Sequence, residues 1–234
     1  MARRHIKSDF APDVYVFPGG KADAGDAIPG DHVTMPVSRK VRGREAPAVG
    51  WRAIVMAAIR ELFEESGLLL ARGTDGSWAT EPWLLAVRDQ VRSGELSMMA
   101  LASEHGLTFA GNQLCLFSNW ITPEVLTRRF DTFFFLARLP AGAEARLADE
   151  LELTHSLWIR PADALERFHQ GEFPLVFATE RHLEALARYD AVDSLWNASI
   201  EAVIEPISPR WHMRDGERVF VIPGDAGYES ARTR

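Results

Sequence analysis

Apolar residues recur with a helical period along residues 51–70, WRAIVMAAIRELFEESGLLL. Trp51, Val55, Ala58 and Leu62 fall at i, i+4, i+7 and i+11, so an amphipathic helix with that stripe toward the core is expected. Pro47 suits its first turn, having no amide hydrogen to leave unpaired, and Gly67 suits its exit. Upstream, residues 13–17 (DVYVF) form a β-prone run that ends in Pro18-Gly19-Gly20-Lys21. Downstream, residues 73–77 read as a turn, and residues 82–92 and 96–104 as helices whose Met98, Met99 and Leu101 fill a core. Residues 113–117 read as a strand and 118–123 as a turn-rich loop. The apolar run 133–137 is expected to be a strand buried on both faces. A helix begins at Pro161 and reaches about residue 170. Thr179 is expected to cap another over 180–189, and helical character continues over 195–200. Residues 203–207 and 218–222 read as short terminal strands that could close the sheet.

The polar face of the 51–70 helix carries the chemistry. At 100° per residue, Glu61, Glu64 and Glu65 fan over about a third of the circumference at the edge of the apolar stripe. Acidic charge at a helix C-terminus opposes the macrodipole, and like charges at i and i+4 repel. The arrangement makes better sense around a divalent cation, which takes several carboxylate oxygens. Arg60 can reach Glu64 at i+4, leaving Glu61 and Glu65 to face the metal. An all-oxygen shell fits Mg²⁺ or Mn²⁺, and the seven histidines show no paired ligand spacing that would suggest zinc.

Gly20, Asp26 and then Arg60-Glu61-Leu62-Phe63-Glu64-Glu65-Ser66-Gly67-Leu68 resemble the Nudix box, G-x5-E-x7-R-E-U-x-E-E-x-G-U with U a bulky aliphatic residue. The second half matches at every specified position. In the first half Asp26 stands where the family has Glu, and 33 residues separate it from Arg60 where the pattern has seven, an insert of 26. The resemblance implies an α/β (α+β) chain with the Nudix fold, a mixed β-sheet sandwiched between helices with helical insertions. Residues 1–234 are read as one domain, with an insert inside the box at about 27–46 and a helical insertion at about 81–105. It further implies a metal shell of Glu61, Glu64, Glu65 and the Gly19 carbonyl, with catalysis by Glu61, Glu64, Glu65 and Arg60.

The interrupted box, with W-I-T-P at 120–123 and R-F-D-T-x-F-F at 129–135, looks like the Nudix branch that includes the peroxisomal coenzyme A diphosphatases. The activity implied is hydrolysis of coenzyme A or acyl-coenzyme A; the alternatives are hydrolysis of ADP-ribose, NADH or another nucleoside diphosphate derivative, and a non-catalytic nucleotide-sensing module. Lys21, Arg128 and Arg129 are candidates for holding substrate phosphates, and a structural ion pair is an equal reading of each arginine. The insert arginines Arg39, Arg42 and Arg44, with Lys40, either face solvent or meet a phosphate-rich substrate. Residues 150–153 and 157–161 resemble the family's late strand, whose approach supplies one more acidic group, Glu150 or Glu152. The base that takes a proton from water is Glu61 or a loop residue such as Glu152.

Composition narrows the setting. A formal charge of −7, from 26 basic and 33 acidic residues, argues against nucleic acid or a membrane surface and leaves a small-molecule diphosphate as the partner. One cysteine, Cys115, allows no intrachain disulfide. With no secretory signal and no run approaching ~18 apolar residues, a cytoplasmic chain is expected. Only about a dozen residues precede the strand leading into the box, fewer than the family's usual strands need. Either the start is late, or a strand from elsewhere or from a second chain fills the sheet; the open edge favours a homodimer.

Overall fold

The computed structural model describes residues 1–7, 11–44, 47–80, 82–123, 126, 128–140 and 153–231. From the N-terminus, β1 (Ala2–Arg4) and β2 (Tyr15–Val16) precede the long helix α1 (Gly50–Ser66). There follow β3 (Ala71–Arg72), α2 (Trp83–Ser93), α3 (Met98–His105) and β4 (Thr108–Phe109). The long strands β5 (Leu114–Ile121) and β6 (Asp131–Ala137) lead to β7 (Leu153–Ser156) and the helices α4 (Pro161–His169), α5 (Phe177–Leu186) and α6 (Val192–Glu201). Short strands β8 (Pro206–Ile207), β9 (Arg210–Arg214) and β10 (Glu217–Val221) complete the order. The strands form small sheets, β2-β1-β7, β3-β4, β6-β5-β8 and β9-β10, antiparallel except for the parallel β5–β8 pair.

The rotation of α1 is fixed by Val55, Met56, Ile59 and Phe63, all fully buried. Burial of each such side chain is worth about 1.5–3 kcal/mol, which sets where the acidic side chains of the same helix point. This stripe lies to one side of the expected one. Trp51, Ala58 and Leu62 are only half-buried, because the helix turns its face toward the core shared with α2 and α3, where Leu84, Val91, Met98 and Leu101 meet it. Trp51 instead stands edge-on to Phe133, ring centroids 5.2 Å apart. Gly67 ends the helix in the left-handed conformation at φ 71°, its amide bonded to the Phe63 carbonyl. Pro47 lies before the helix, its carbonyl accepting the Gly50 amide at 2.8 Å.

Strand β5 takes in residues 118–121 of the stretch expected to be a loop, leaving Thr122 and Pro123 outside it. Ser118 and Asn119 sit in it buried because both are satisfied there. Asn119 Nδ2 donates to Asp131 Oδ1 at 2.7 Å, and Ser118 Oγ lies 2.6 Å from His182 Nε2. His182 Nδ1 is 2.5 Å from the Ala178 carbonyl, which can only accept, so Nδ1 carries the proton and Nε2 accepts from Ser118. Burial pushes the imidazole pKa down to about 4, and the neutral ring ties α5 to β5. β6 is an edge strand, half-buried rather than covered on both faces. Thr179 lies buried inside α5 and does not cap it; the helix starts two residues earlier.

At the other end, β1 lies between β2 and β7. The sheet position is filled from within the chain, so this edge gives no reason to invoke a second copy. Of the expected terminal strands, β8 adds to the main sheet beside β5, whereas β10 pairs with β9 in a separate hairpin. The insert residues bridge β5 and the segment before β8, Ser38 with Cys115 and Val41 with Ile204. Among the described residues no helix is long and apolar enough to cross a membrane.

Candidate active site

Two elements meet here: the glycine turn after β2 and the last two turns of α1. Their meeting point is the Arg60 guanidinium. Its Nε and Nη2 donate to the two oxygens of Asp26 at 2.9 and 3.1 Å, a two-point contact. Its Nη1 donates to Glu61 Oε1 at 2.8 Å and to Glu64 Oε1 at 3.2 Å, and Nη2 also reaches the Lys21 carbonyl at 2.8 Å. Asp26 is fully buried. It is held from behind by the Asp23 amide at 2.9 Å, in a capping box whose other half is the Asp26 amide donating to the Asp23 side chain; Asp23 Oδ1 also accepts from the Gly25 amide at 2.7 Å. The chain then runs through the insert before returning to Arg60, so the pair survives a sequence separation of 34 residues.

The glycine turn lies directly on the acids. A Cβ added at Gly20 would overlap the Glu61 carboxylate, and the Gly19 amide donates to Glu65 Oε2 at 3.0 Å. The obstacle at Gly20 is the end of a flexible side chain, so Gly20→Ala should fold, with a melting temperature near that of the parent. It displaces Glu61 from its place beside Arg60, and turnover should fall by about 10- to 100-fold, in keeping with the cost of ångström-scale misplacement. Circular dichroism and initial rates check both halves.

The charges do not balance within the site. Four carboxylates share one guanidinium, Asp26, Glu61 and Glu64 closely and Asp23 at 3.9 Å. Burial pushes the Glu61 and Glu64 carboxyls up from their ordinary range, and it prevails over the pull of Arg60. Burial also opposes the Arg60 charge, but its bonds to Asp26 and the field of Glu61 outweigh that and raise its pKa. Among the described residues no three His, Cys, Asp or Glu side chains are gathered into a ready metal cage, since the acids are turned onto Arg60 and the Gly19 amide. The donor set nonetheless fits a hard divalent cation. It is all oxygen, it carries excess negative charge, and burial penalises that charge when nothing cationic balances it.

Of the sequence candidates, Gly19, Arg60, Glu61, Glu64 and Glu65 come together. Lys21 contributes its backbone carbonyl while its side chain is exposed. Arg128 is exposed, and Arg129 Nε donates to the Thr122 carbonyl at 3.3 Å; among the described residues neither bonds to the acidic network. Glu150 and Glu152 lie outside the described residues. Two insert arginines have structural partners: Arg42 pairs with Glu205, and Arg44 grips Asp131 through both its terminal nitrogens, at 3.0 and 2.6 Å. Sequence reasoning missed Arg88, buried in α2, whose Nε donates to the Glu64 carbonyl at 2.9 Å and so places a cation at the C-terminal end of α1. An arginine at i+4 from Leu84, on the apolar side of the helix directly after the run WLLAV, was the signal for it.

The fold and this site define a Nudix hydrolase. More particularly, the family model described as the NUDT19 Nudix domain matches residues 33–179, more than half of the chain, and the chain belongs to that family. It is 30% identical over 272 residues to the human acyl-coenzyme A diphosphatase NUDT19, a match covering 97% of this chain and 71% of the human protein. The acyl-coenzyme A diphosphatase NUDT19 of Gallus gallus is 27% identical, with 97% and 71% covered. A crystal structure of a NUDIX hydrolase from Alicyclobacillus acidocaldarius superposes with a TM-score of 0.72 at 28% identity, covering 87% of each chain. The chain is accordingly an enzyme, a diphosphatase of the Nudix class.

Proposed function

We propose that the chain is a divalent-metal-dependent hydrolase of the diphosphate bond of coenzyme A and acyl-coenzyme A, releasing adenosine 3′,5′-bisphosphate and a phosphopantetheine. The observation that carries the chemistry is the convergence of Asp26, Glu61 and Glu64 on one arginine, against a glycine turn bonded to Glu65. The substrate rests on the names of the relatives, the acyl-coenzyme A diphosphatases.

In this reading Glu61, Glu64 and Glu65, with the Gly19 carbonyl, hold Mg²⁺ or Mn²⁺. When bound, the cation neutralises phosphoryl oxygens and acidifies a water. Arg60 fixes the rotamers of Glu61 and Glu64 through its Nη1, and Asp26 fixes Arg60. Glu61, which lies beside Arg60 among the acids at the glycine turn, accepts the proton of the attacking water at an Oε atom. Glu152 is the alternative base.

The test is incubation of purified protein with Mg²⁺ or Mn²⁺ and, separately, coenzyme A, ADP-ribose and NADH, followed by mass spectrometry. The expected products are adenosine 3′,5′-bisphosphate and 4′-phosphopantetheine, lost on adding EDTA. Exclusive cleavage of ADP-ribose or NADH would overturn the substrate, and EDTA-resistant cleavage would overturn the metal.

A pH dependence follows from the raised carboxyls. Their folded-state pKa lies above the unfolded value, so in metal-free protein their contribution favours folding at low pH and is lost as pH rises through the folded pKa. A bound cation removes that penalty and competes with protons for the same oxygens. Thermal melts should therefore show a larger Mn²⁺-induced rise in Tm at pH 8 than at pH 5. A rise that does not depend on pH would count against these carboxylates as the ligands.

A further inference from the structure

An open cavity of about 500 Å³ lies on the insert side of α1, lined by Ile28, Met35, Arg39, Val49, Trp51 and Arg52 among others. Its wall begins at Ala27, directly after the buried Asp26 that anchors Arg60. The arginines of the insert and of the first turn of α1 divide into two kinds. Arg42 and Arg44 are consumed by Glu205 and by Asp131, whereas Arg39 and Arg52, both exposed, have no carboxylate partner among the described residues. The Arg52 guanidinium lies against Gly30, where an added Cβ would come within 2.8 Å of Nη2, so the insert backbone packs against this cation. Two guanidinium groups on one concave face, in a chain of net charge −7, are suited to an oxyanion. Trp51, whose ring also stands edge-on to Phe133, lines the same cavity with the apolar side chains of Met35 and Val49.

We propose that this cavity is the subsite for the ribose 3′-phosphate and adenine of coenzyme A, with Arg39 and Arg52 on the phosphate and Trp51 against the base. The proposal rests on the coenzyme A reading above. The cavity residues Gly50 to Ala53 precede Glu61 by eight to eleven positions on the same helix, about 12–16 Å along its axis. A substrate whose diphosphate lies at the box can therefore extend one end to the cavity. The neutral pantetheine arm offers nothing to two guanidinium groups; the phosphorylated nucleoside offers an anion and a ring. This gives the insert within the box a task, the reading of one phosphate that distinguishes coenzyme A from its dephospho form.

Steady-state kinetics on coenzyme A and dephospho-coenzyme A, for the parent and for Arg39→Ala, Arg52→Ala and the corresponding lysine variants, test it. The parent should show a KM for coenzyme A lower by about tenfold or more, the scale of charge-assisted bonds to a phosphate. Each alanine variant should raise KM for coenzyme A by about that factor with kcat nearly unchanged, and leave dephospho-coenzyme A almost unaffected. The lysine variants should recover part of the loss. Equal effects on both substrates, or none on coenzyme A, would overturn the assignment. Calorimetric titration with adenosine 3′,5′-bisphosphate and with AMP separates this from the reading it rests on. A preference for the bisphosphate that disappears in Arg39→Ala and Arg52→Ala upholds the subsite even if coenzyme A is not cleaved; no preference overturns it.

Discussion

Glu65→Gln is expected to lower the rate of diphosphate hydrolysis by about 1,000-fold, the equivalent of roughly 4 kcal/mol of lost charge stabilisation. The substitution is close to a pure removal of charge. Glu65 Oε2 accepts the Gly19 amide at 3.0 Å, and the side-chain carbonyl of glutamine can accept the same bond, so the glycine turn keeps its anchor. The exchange removes one anionic oxygen donor for the cation. The melting temperature without metal should stay near that of the parent, while the stabilisation given by Mn²⁺ should shrink. Initial rates and paired melts report the two effects separately. Near-parental activity would remove Glu65 from the site.

Arg60→Ala should be the most damaging single change to stability. Arg60 is the common partner of Asp26, Glu61 and Glu64, and Asp26 is completely inaccessible to solvent. Breaking a buried pair by removing one member typically costs about 3–5 kcal/mol, because the remaining charge is stranded. For a chain of this size that corresponds to a fall in Tm of about 6–20 °C. Adding Asp26→Asn to Arg60→Ala removes the stranded charge, and the double variant should melt above the single one. A double variant no more stable than Arg60→Ala would show that the cost lies elsewhere in the network.

Much of the site was legible because it is local. Arg60, Glu61, Glu64, Glu65 and Gly67 lie within eight residues of one another on a single helix, where 3.6-residue geometry fixes which side chains share a face. The helix C-cap at Gly67 and the turn at residues 73–77 were legible for the same reason. Features that depend on long-range pairing were not. The buried stripe of α1 is displaced from the expected one because α2 and α3 choose which side is covered. Ser118 and Asn119 look like loop residues, yet His182 and Asp131 satisfy them inside a strand. Arg42 and Arg44 look like a phosphate-binding cluster until Glu205 and Asp131 are found beside them. The β9–β10 hairpin did carry local signals, Asp215-Gly216, both with positive φ, and the strict polar–apolar alternation of Arg210–Arg214, so this strand was readable although it is missing from the expected elements. The place of β1 beside β7 joins Ala2 to Ser156 and Arg3 to His155, a separation that no window of sequence can register.

The central claim is that the acids at the end of α1 hold a divalent cation against the glycine turn. Crystals grown or soaked with Mn²⁺ and measured at a wavelength where manganese scatters anomalously test it most directly. The account predicts an anomalous peak enclosed by Glu61, Glu64, Glu65 and the Gly19 carbonyl. A peak bound by other residues, with these three glutamates still turned onto Arg60 and the Gly19 amide, would contradict it.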